Sequence, residues 1–151
     1  MYIQIEKAKR CLKLYQSGTL VLKVPIGLGR SPVGAKEKEG DGKTPEGCYH
    51  ICLIKEHGKY GRSLGLSYPS AADARAAFDK GQIDAPTLRA IELAQAEGRR
   101  PPWGSALGGE IYIHEGGSER DWTQGCIALS EEDMDRLWPH REEITEVRIE
   151  K

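Results

Sequence analysis

The stretch from residue 111 to residue 129, IYIHEGGSERDWTQGCIAL, joins an apolar strand pattern to a glycine–cysteine pair. It places His114 at the end of an apolar strand pattern and Cys126 twelve positions later, directly after Gly125. A thiol is mostly protonated at neutral pH, and a nearby imidazole shifts it toward the reactive thiolate. The pair therefore indicates a cysteine nucleophile with a histidine base. A buried structural cysteine beside an unrelated histidine fits the same two residues equally well.

Backbone groups around this pair are candidates for the other parts of an acyl-transfer site. Gly125 lets the backbone approach a substrate carbonyl closely, and N–H groups there are candidates to stabilise an oxyanion. A third group must orient the imidazole of His114. Neighbouring side chains in a strand face opposite sides, so the predicted orienting group is the backbone carbonyl of Glu115, not its carboxylate.

Length and charge limit the possible classes of protein. The chain has 151 residues, which predicts a single domain over residues 1–151. Its formal net charge is -1, with 22 basic and 23 acidic residues, so nothing in the balance favours nucleic acid or an anionic membrane as a partner. No apolar run approaches the ~20 residues that cross a bilayer. The first residues show no signal-peptide pattern, which leaves two alternatives open: a cytoplasmic protein, or a leader already removed.

The chain is predicted to be mainly β. Alternating apolar residues and turn signals predict strands, and residues 70–100 are rich in strong helix formers. That segment is expected to be a helical insertion that covers the groove as a lid, with Leu88, Ile91 and Leu93 on the apolar face of its second helix. Ser130 is a good N-cap for a short helix after Cys126. The predicted strands are residues 3–5, 12–15, 19–24, 48–54, 110–114 and 144–149, and the predicted helices are residues 71–78, 85–97 and one beginning at Ser130.

The remaining cysteines do not predict a disulfide framework or a metal site. Cys48 and Cys52 fall on one predicted strand, where four residues span roughly 13 Å, beyond disulfide reach. No second pair of cysteines completes a zinc-binding spacing. Both are therefore expected to be buried, small apolar residues.

Three segments together carry a resemblance to a known family. They are residues 42–47 (GKTPEG), residues 113–116 (IHEG) and residues 123–127 (TQGCI). Their order and composition resemble the L,D-transpeptidase catalytic domain, also called the YkuD domain, over the chain from about residue 10 to its end. The resemblance implies a β-sandwich or barrel-like domain. The form DWTQGC and the helical insertion are similar to a divergent branch of murein transpeptidase-like proteins that cut, rather than make, links to peptidoglycan.

The resemblance implies a reaction and a set of residues. Cys126 is implied as the nucleophile that attacks the bond after the L-centre of diaminopimelate in a peptidoglycan stem peptide, with His114 as the base. Water in place of an amine acceptor gives an L,D-carboxypeptidase, endopeptidase or amide hydrolase, and a non-catalytic wall-binding module is the alternative from another class. No cofactor and no metal are implied, and the family generally works in the cell envelope or periplasm. The implied oxyanion or orienting groups are Gly125, Cys126, Gln124 and the Glu115 backbone, and the candidate substrate-binding residues are Tyr60, Arg62, Gly116, Gly117 and Thr123.

Two positions depart from the family pattern. Gln124 stands where the family has a second histidine before Gly-Cys, so this side chain can keep a polar contact but cannot titrate. Ala128 stands where the family often has arginine or asparagine, which removes a potential contact to a carboxylate. Either difference bears on which substrate the site accepts.

Overall fold

A computed structural model describes residues 1–151, and its strands form two mixed β-sheets. The first sheet has the strand order β3-β2-β1-β9-β4 and the second β5-β6-β7-β8, so neither sheet closes into a barrel. The mainly β prediction with a helical insertion is confirmed. The strands are β1 (Tyr2–Glu6), β2 (Cys11–Gln16), β3 (Thr19–Pro25), β4 (Gly47–Tyr49), β5 (Ile51–Gly58), β6 (Gly61–Leu66), β7 (Tyr112–His114), β8 (Ile127–Ala128) and β9 (Glu146–Glu150); the helices are α1 (Ala71–Asp79), α2 (Ala85–Ala96) and α3 (Glu131–Leu137), followed by a 3-10 turn at Trp138–His140.

The first sheet follows from alternation in its strands. Ile3 and Ile5 on β1 are fully buried, and β1 pairs antiparallel with β2 and parallel with β9. Ser17 and Gly18 both have positive φ, the geometry that a two-residue hairpin loop needs to join β2 to β3. A contiguous core of 27 buried residues then connects the strands of both sheets with the helices.

The chain changes sheet at His50, and this contradicts the prediction of one strand over residues 48–54. β4 ends at Tyr49 in the first sheet, and β5 begins at Ile51 in the second. The expected burial of the two cysteines is also wrong: Cys48 is exposed and Cys52 is only partly buried. A strand that changes sheet near an edge leaves such side chains with less cover than a central strand does.

The helices agree with their sequence signals except at one position. Ser70, Asp84 and Ser130 cap α1, α2 and α3 by accepting hydrogen bonds from backbone N–H groups three residues later. Leu93 is 55% exposed, whereas Ala94 is buried, because Ala94 lies three residues after Ile91 on the buried face. None of the helices combines the length and the apolar character required to cross a bilayer.

Candidate active site

A cavity of about 430 Å³ opens where β7 and β8 meet the β5–β6 turn. It brings together four residues that the sequence singled out: Cys126, His114, Gln124 and Tyr60. Its volume lies in the range of small-molecule sites. The other lining residues are Lys36, Glu39, Gly40, Lys55, Gly58, Lys59, Ser63, Gly109, Glu110, Ile111 and Tyr112. None of them belongs to α1 or α2, so the expectation that the insertion forms a lid is wrong for this structure.

A locked turn presents Cys126 just before β8. Gly125 has φ +138, and a Cβ there would lie 2.7 Å from the Lys43 carbonyl oxygen, so only glycine fits. The Thr123 hydroxyl accepts from the Gly125 N–H at 3.1 Å and donates to the Cys126 carbonyl at 2.7 Å. Two expectations change as a result. Thr123 is buried and shapes the turn instead of facing substrate, and the Gly125 N–H is already occupied.

The thiol of Cys126 is held by backbone groups. Its Sγ accepts a hydrogen bond from the Tyr112 N–H at 3.4 Å. The thiol donates a hydrogen bond to the Glu110 carbonyl oxygen, 3.5 Å from Sγ. Burial raises the pKa of Cys126 to about 11, and the Tyr112 N–H only partly opposes this. Burial therefore favours the protonated resting thiol at neutral pH, whereas the sequence predicts an imidazole-stabilised thiolate.

His114 is buried at the end of β7 with one ring nitrogen free. Its Nδ1 lies in hydrogen-bond contact with the Glu115 carbonyl oxygen. A carbonyl can only accept, so Nδ1 carries the proton and the neutral ring has its lone pair on Nε2. Burial lowers the pKa of His114, which favours this neutral form. Nε2 has no hydrogen-bond partner in the protein, so no hydrogen bond joins it to Sγ of Cys126.

Aromatic rings hold the imidazole from two sides. Tyr60 stacks on His114 at 4.7 Å between ring centroids, and Trp122 contacts the His114 ring edge-on at 5.6 Å. The Trp122 indole N–H donates to the Gly117 carbonyl at 2.9 Å, and Gly116 and Gly117 line a second, shallower cavity beside Trp122. Gly116 and Gly117 therefore support Trp122 and lie outside the main cavity, in contrast to their predicted contact with substrate.

Arg62 is engaged by protein carboxylates and does not line the cavity. Its guanidinium donates to Glu115 Oε1 at 2.9 Å and Oε2 at 3.1 Å and forms an ion pair with Asp135 at 2.7 Å. The paired Arg62 lowers the pKa of Glu115, and the two carboxylates raise the pKa of Arg62. Arg62, predicted to bind substrate, therefore lies outside the main cavity with its guanidinium already paired. Because Arg62 fixes the residue whose carbonyl contacts Nδ1 of His114, its position suits an indirect role in orienting the imidazole.

We expect Arg62→Met to lower the rate of the reaction at Cys126 between about 10- and 100-fold, less than the loss of a directly bonded orienting group. The Glu115 carboxylate already raises the pKa of His114, and without Arg62 it is no longer neutralised. The pKa of His114 then rises, and the acidic limb of the pH–rate profile moves to higher pH. Arg136→Met is the matched control, because Arg136 is exposed and pairs with Asp133. An unmoved acidic limb in Arg62→Met would contradict this positioning role.

Gln124 and Lys36 complete the cavity wall. Gln124 is exposed, and its Oε1 accepts from the Arg30 guanidinium at 2.6 Å. Lys36 is only 5% exposed and was not predicted, since a lysine in a glycine-rich loop usually faces solvent. Ala128 is buried on β8 and bonds through its backbone to Gly27. No group of three or more His, Cys, Asp or Glu side chains is arranged to hold a metal ion.

The protonated resting thiol gives a prediction for the free protein. We expect alkylation of Cys126 by iodoacetamide to rise about tenfold per pH unit above neutrality and to level off near pH 11, the pKa of its thiol. Only the thiolate reacts, and the buried site keeps it scarce at lower pH. Site-resolved mass spectrometry of the alkylated protein measures the rate. A plateau already reached below about pH 8 would instead indicate a preformed thiolate–imidazolium pair.

The two-sheet architecture with this cavity is the fold of L,D-transpeptidases. The family profile of the L,D-transpeptidase catalytic domain, YkuD, matches residues 1–149, so the chain belongs to this family of peptidoglycan-modifying enzymes. The match begins nearer the N-terminus than the predicted residue 10. A search of curated protein sequences found no significant match.

Solved structures share the fold. The chain superposes on the helical cell shape determining protein Pgp2 (K307A mutant) from Campylobacter jejuni with a TM-score of 0.68 and 24% identity, covering 99% of this chain and 46% of that one. Bd1075 from Bdellovibrio bacteriovorus superposes with a TM-score of 0.60 and 16% identity, covering 99% of this chain and 47% of that one. The L,D-transpeptidase (residues 123-326) from Xylanimonas cellulosilytica superposes with a TM-score of 0.56 and 14% identity, covering 99% of this chain and 59% of that one. The chain thus spans about half the length of these proteins.

Proposed function

We propose that this chain is a cysteine-dependent L,D-transpeptidase that acts on diaminopimelate-containing peptidoglycan stem peptides through a thioacyl-enzyme. One observation carries the proposal: the Cys126 thiol and the His114 ring, with its free Nε2, line the same open cavity. The Cys126 N–H adds to it, because it makes no hydrogen bond within the protein and is available to an oxyanion. Family membership supports peptidoglycan as the substrate class.

The first half-reaction follows from the protonation states of the pair. Sγ of Cys126 attacks the carbonyl carbon of the bond before D-Ala, and Nε2 of His114 takes the thiol proton as the C–S bond forms. The carbonyl oxygen becomes an oxyanion beside the Cys126 N–H. The C–N bond then breaks, His114 returns the proton to the leaving amine of D-Ala, and a thioester remains on Cys126.

The second half-reaction decides between transfer and hydrolysis. In transfer, an amine from a neighbouring stem loses a proton to His114 and attacks the thioester, and the thiol of Cys126 recovers a proton as it leaves. In hydrolysis, water takes the place of the amine, which makes the protein an L,D-carboxypeptidase or amide hydrolase. Both reactions share the thioester, so the acceptor alone distinguishes them.

The resting hydrogen bonds define what substrate binding must change. Sγ is engaged with the Tyr112 N–H and the Glu110 carbonyl, so it must turn from Glu110 toward Nε2 before the proton is transferred. A thiol that stayed engaged would favour the non-catalytic wall-binding module. The hydrogen bonds that hold Sγ to Tyr112 and Glu110 are the specific observation behind that alternative.

Place of action follows from the substrate. We propose the cell envelope, or periplasm, as the site of action because peptidoglycan lies there. Wall remodelling that affects cell shape is the corresponding role, by analogy with the helical cell shape determining protein Pgp2.

The test is an incubation of the protein with a purified disaccharide tetrapeptide, with and without a free D-amino acid as the amine acceptor. Transfer predicts a product that carries the D-amino acid, and hydrolysis predicts the tripeptide. Binding without release of D-Ala under either condition would contradict the enzymatic proposal and favour the wall-binding module.

A further inference from the structure

A buried lysine shares the cavity with Cys126. Lys36 precedes the turn around Asp41 in the glycine-rich loop, and its side chain is 3% exposed. It lines the same cavity as the thiol, and its positive charge lowers the pKa of Cys126 against the larger effect of burial. A buried lysine is normally paired, and Lys36 is paired with Asp41, so the open question is what its remaining donor binds.

One of the three ammonium N–H groups of Lys36 makes no hydrogen bond within the protein. Its ammonium donates to the Lys38 carbonyl at 3.1 Å and to Asp41 Oδ1 at 3.0 Å, which uses two of three N–H groups. The Asp41 carboxylate is itself shared, because it also accepts from the backbone N–H groups of Glu37, Lys38 and Lys43. Asp41 is the counter-ion of Lys36 and occupies one of its donors. The third donor has no acceptor in the protein and is available to a ligand in the cavity.

The remaining charges of the cavity suit an anionic group near Lys36. Lys55 and Lys59 form no ion pair, and they lie over the rings of Tyr112 and Tyr60 at 5.1 and 5.4 Å. Glu39 and Glu110 are exposed at the rim, where water screens them. Lys36 is the one lysine of the cavity removed from water, so its charge acts most strongly on a ligand.

We propose that Lys36 binds a carboxylate of the substrate beside Cys126 and thereby selects acyl donors that carry one. This rests on the proposed function, since the substrate is taken to be a stem peptide. Two carboxylates of such a peptide have the required chemistry: that of the leaving D-Ala and that on the side chain of diaminopimelate. In either case the ammonium of Lys36 supplies a charge-assisted hydrogen bond.

The first test needs no peptidoglycan. Iodoacetate and iodoacetamide alkylate the same thiol and differ in size by little, but only iodoacetate is anionic. We expect the iodoacetate-to-iodoacetamide rate ratio at Cys126 to fall at least about threefold in Lys36→Met, as removal of a nearby cation requires. Both rates also fall as the pKa of the thiol rises, and the ratio cancels that effect. Exposed Cys48 serves as the reference for the reagents in the same molecule.

Lys38→Met is the matched control, because Lys38 is exposed in the same loop and does not line the cavity. Its ratio should equal that of the unmodified protein. An unchanged ratio in Lys36→Met would overturn the proposal, with Lys36 then serving only to hold the loop. That result would leave the chemistry assigned to Cys126 intact, so the two failures are distinguishable.

A measurement on the unmodified protein covers the case in which Lys36→Met does not fold. N-acetyl-D-alanine and N-acetyl-D-alaninamide are compared as protectants of Cys126 against iodoacetamide. The acid should slow alkylation and the neutral amide should not at the same concentration. Equal protection, or none by the acid, would exclude the D-Ala carboxylate, and an iodoacetate-to-iodoacetamide rate ratio at Cys126 no higher than that at Cys48 would overturn the proposal for both carboxylates.

Tetrapeptides with one carboxylate amidated identify the source. Amidation of the carboxylate that Lys36 binds should raise KM in the unmodified protein but not in Lys36→Met. Amidation of the terminal D-Ala tests the leaving group, and amidation of diaminopimelate tests the side chain. If neither amidation distinguishes the two proteins, Lys36 does not select the substrate.

Discussion

Cys126→Ala is expected to lower the rate of D-Ala release from a stem tetrapeptide by roughly 10⁴-fold or more, the scale on which loss of a nucleophile abolishes covalent catalysis. The variant keeps Gly125, the Thr123 hydrogen bonds and the Cys126 backbone N–H, so the shape of the cavity is retained. What it loses is the sulfur that forms the thioester. The rate is measured by release of D-Ala under saturating tetrapeptide.

Two other thiols provide the controls. Cys48→Ala and Cys52→Ala remove sulfurs that do not line the cavity, and we expect both to keep the activity of the unmodified protein. Cys126→Ser should also be nearly inactive, because a hydroxyl is far harder to ionise than a thiol. D-Ala release by Cys126→Ala within about tenfold of the unmodified protein would rule out Cys126 as the nucleophile.

His114→Gln is expected to lower kcat by about 10²- to 10⁴-fold, the range associated with loss of a general base. Glutamine retains an N–H that can donate to the Glu115 carbonyl, so the packing against Tyr60 and Trp122 is disturbed less than by alanine. It cannot take the thiol proton, because an amide does not titrate. The acidic limb of the pH–rate profile, which reports protonation of His114, should disappear.

His57→Gln is the matched control for this change. His57 is exposed on β5 and does not line the cavity, so its removal should leave both the rate and the pH profile unchanged. An acidic limb that persists in His114→Gln would mean that another group takes the thiol proton. The lowered pKa of His114 places that limb below neutral pH, where the imidazole becomes protonated.

Local signals in the sequence were sufficient for most elements but not for the middle of the second sheet. β6 was not predicted, because Gly61 and Gly65 disfavour a strand and no residue from 61 to 66 is β-branched. The strand forms because it packs between β5 and β7, so closely that a Cβ on Gly65 would lie 3.1 Å from both Leu53 and Tyr112. Close packing between strands that are distant in sequence therefore outweighs local propensity here.

The candidate site was predictable where its residues lie in one short segment of the sequence. The sequence placed Cys126 and His114 together because the strand and the turn that hold them lie twelve residues apart. The pairing of Arg62 with Glu115 was not predicted, because the two residues lie 53 positions apart and spacing in the sequence gives no sign of it. The burial of Lys36 depends on Asp41, whose carboxylate gathers three backbone N–H groups into a turn. An acidic residue shortly after a lysine in a glycine-rich loop was the available signal.

The most direct test of the account is the intact mass of the protein, quenched in acid during turnover of a stem tetrapeptide. The proposed mechanism predicts a mass increase equal to the tripeptide acyl group, mapped to Cys126 and removed by hydroxylamine, with none in Cys126→Ala. Release of D-Ala with no such adduct under rapid quench, and with Cys126→Ala still active, would contradict it.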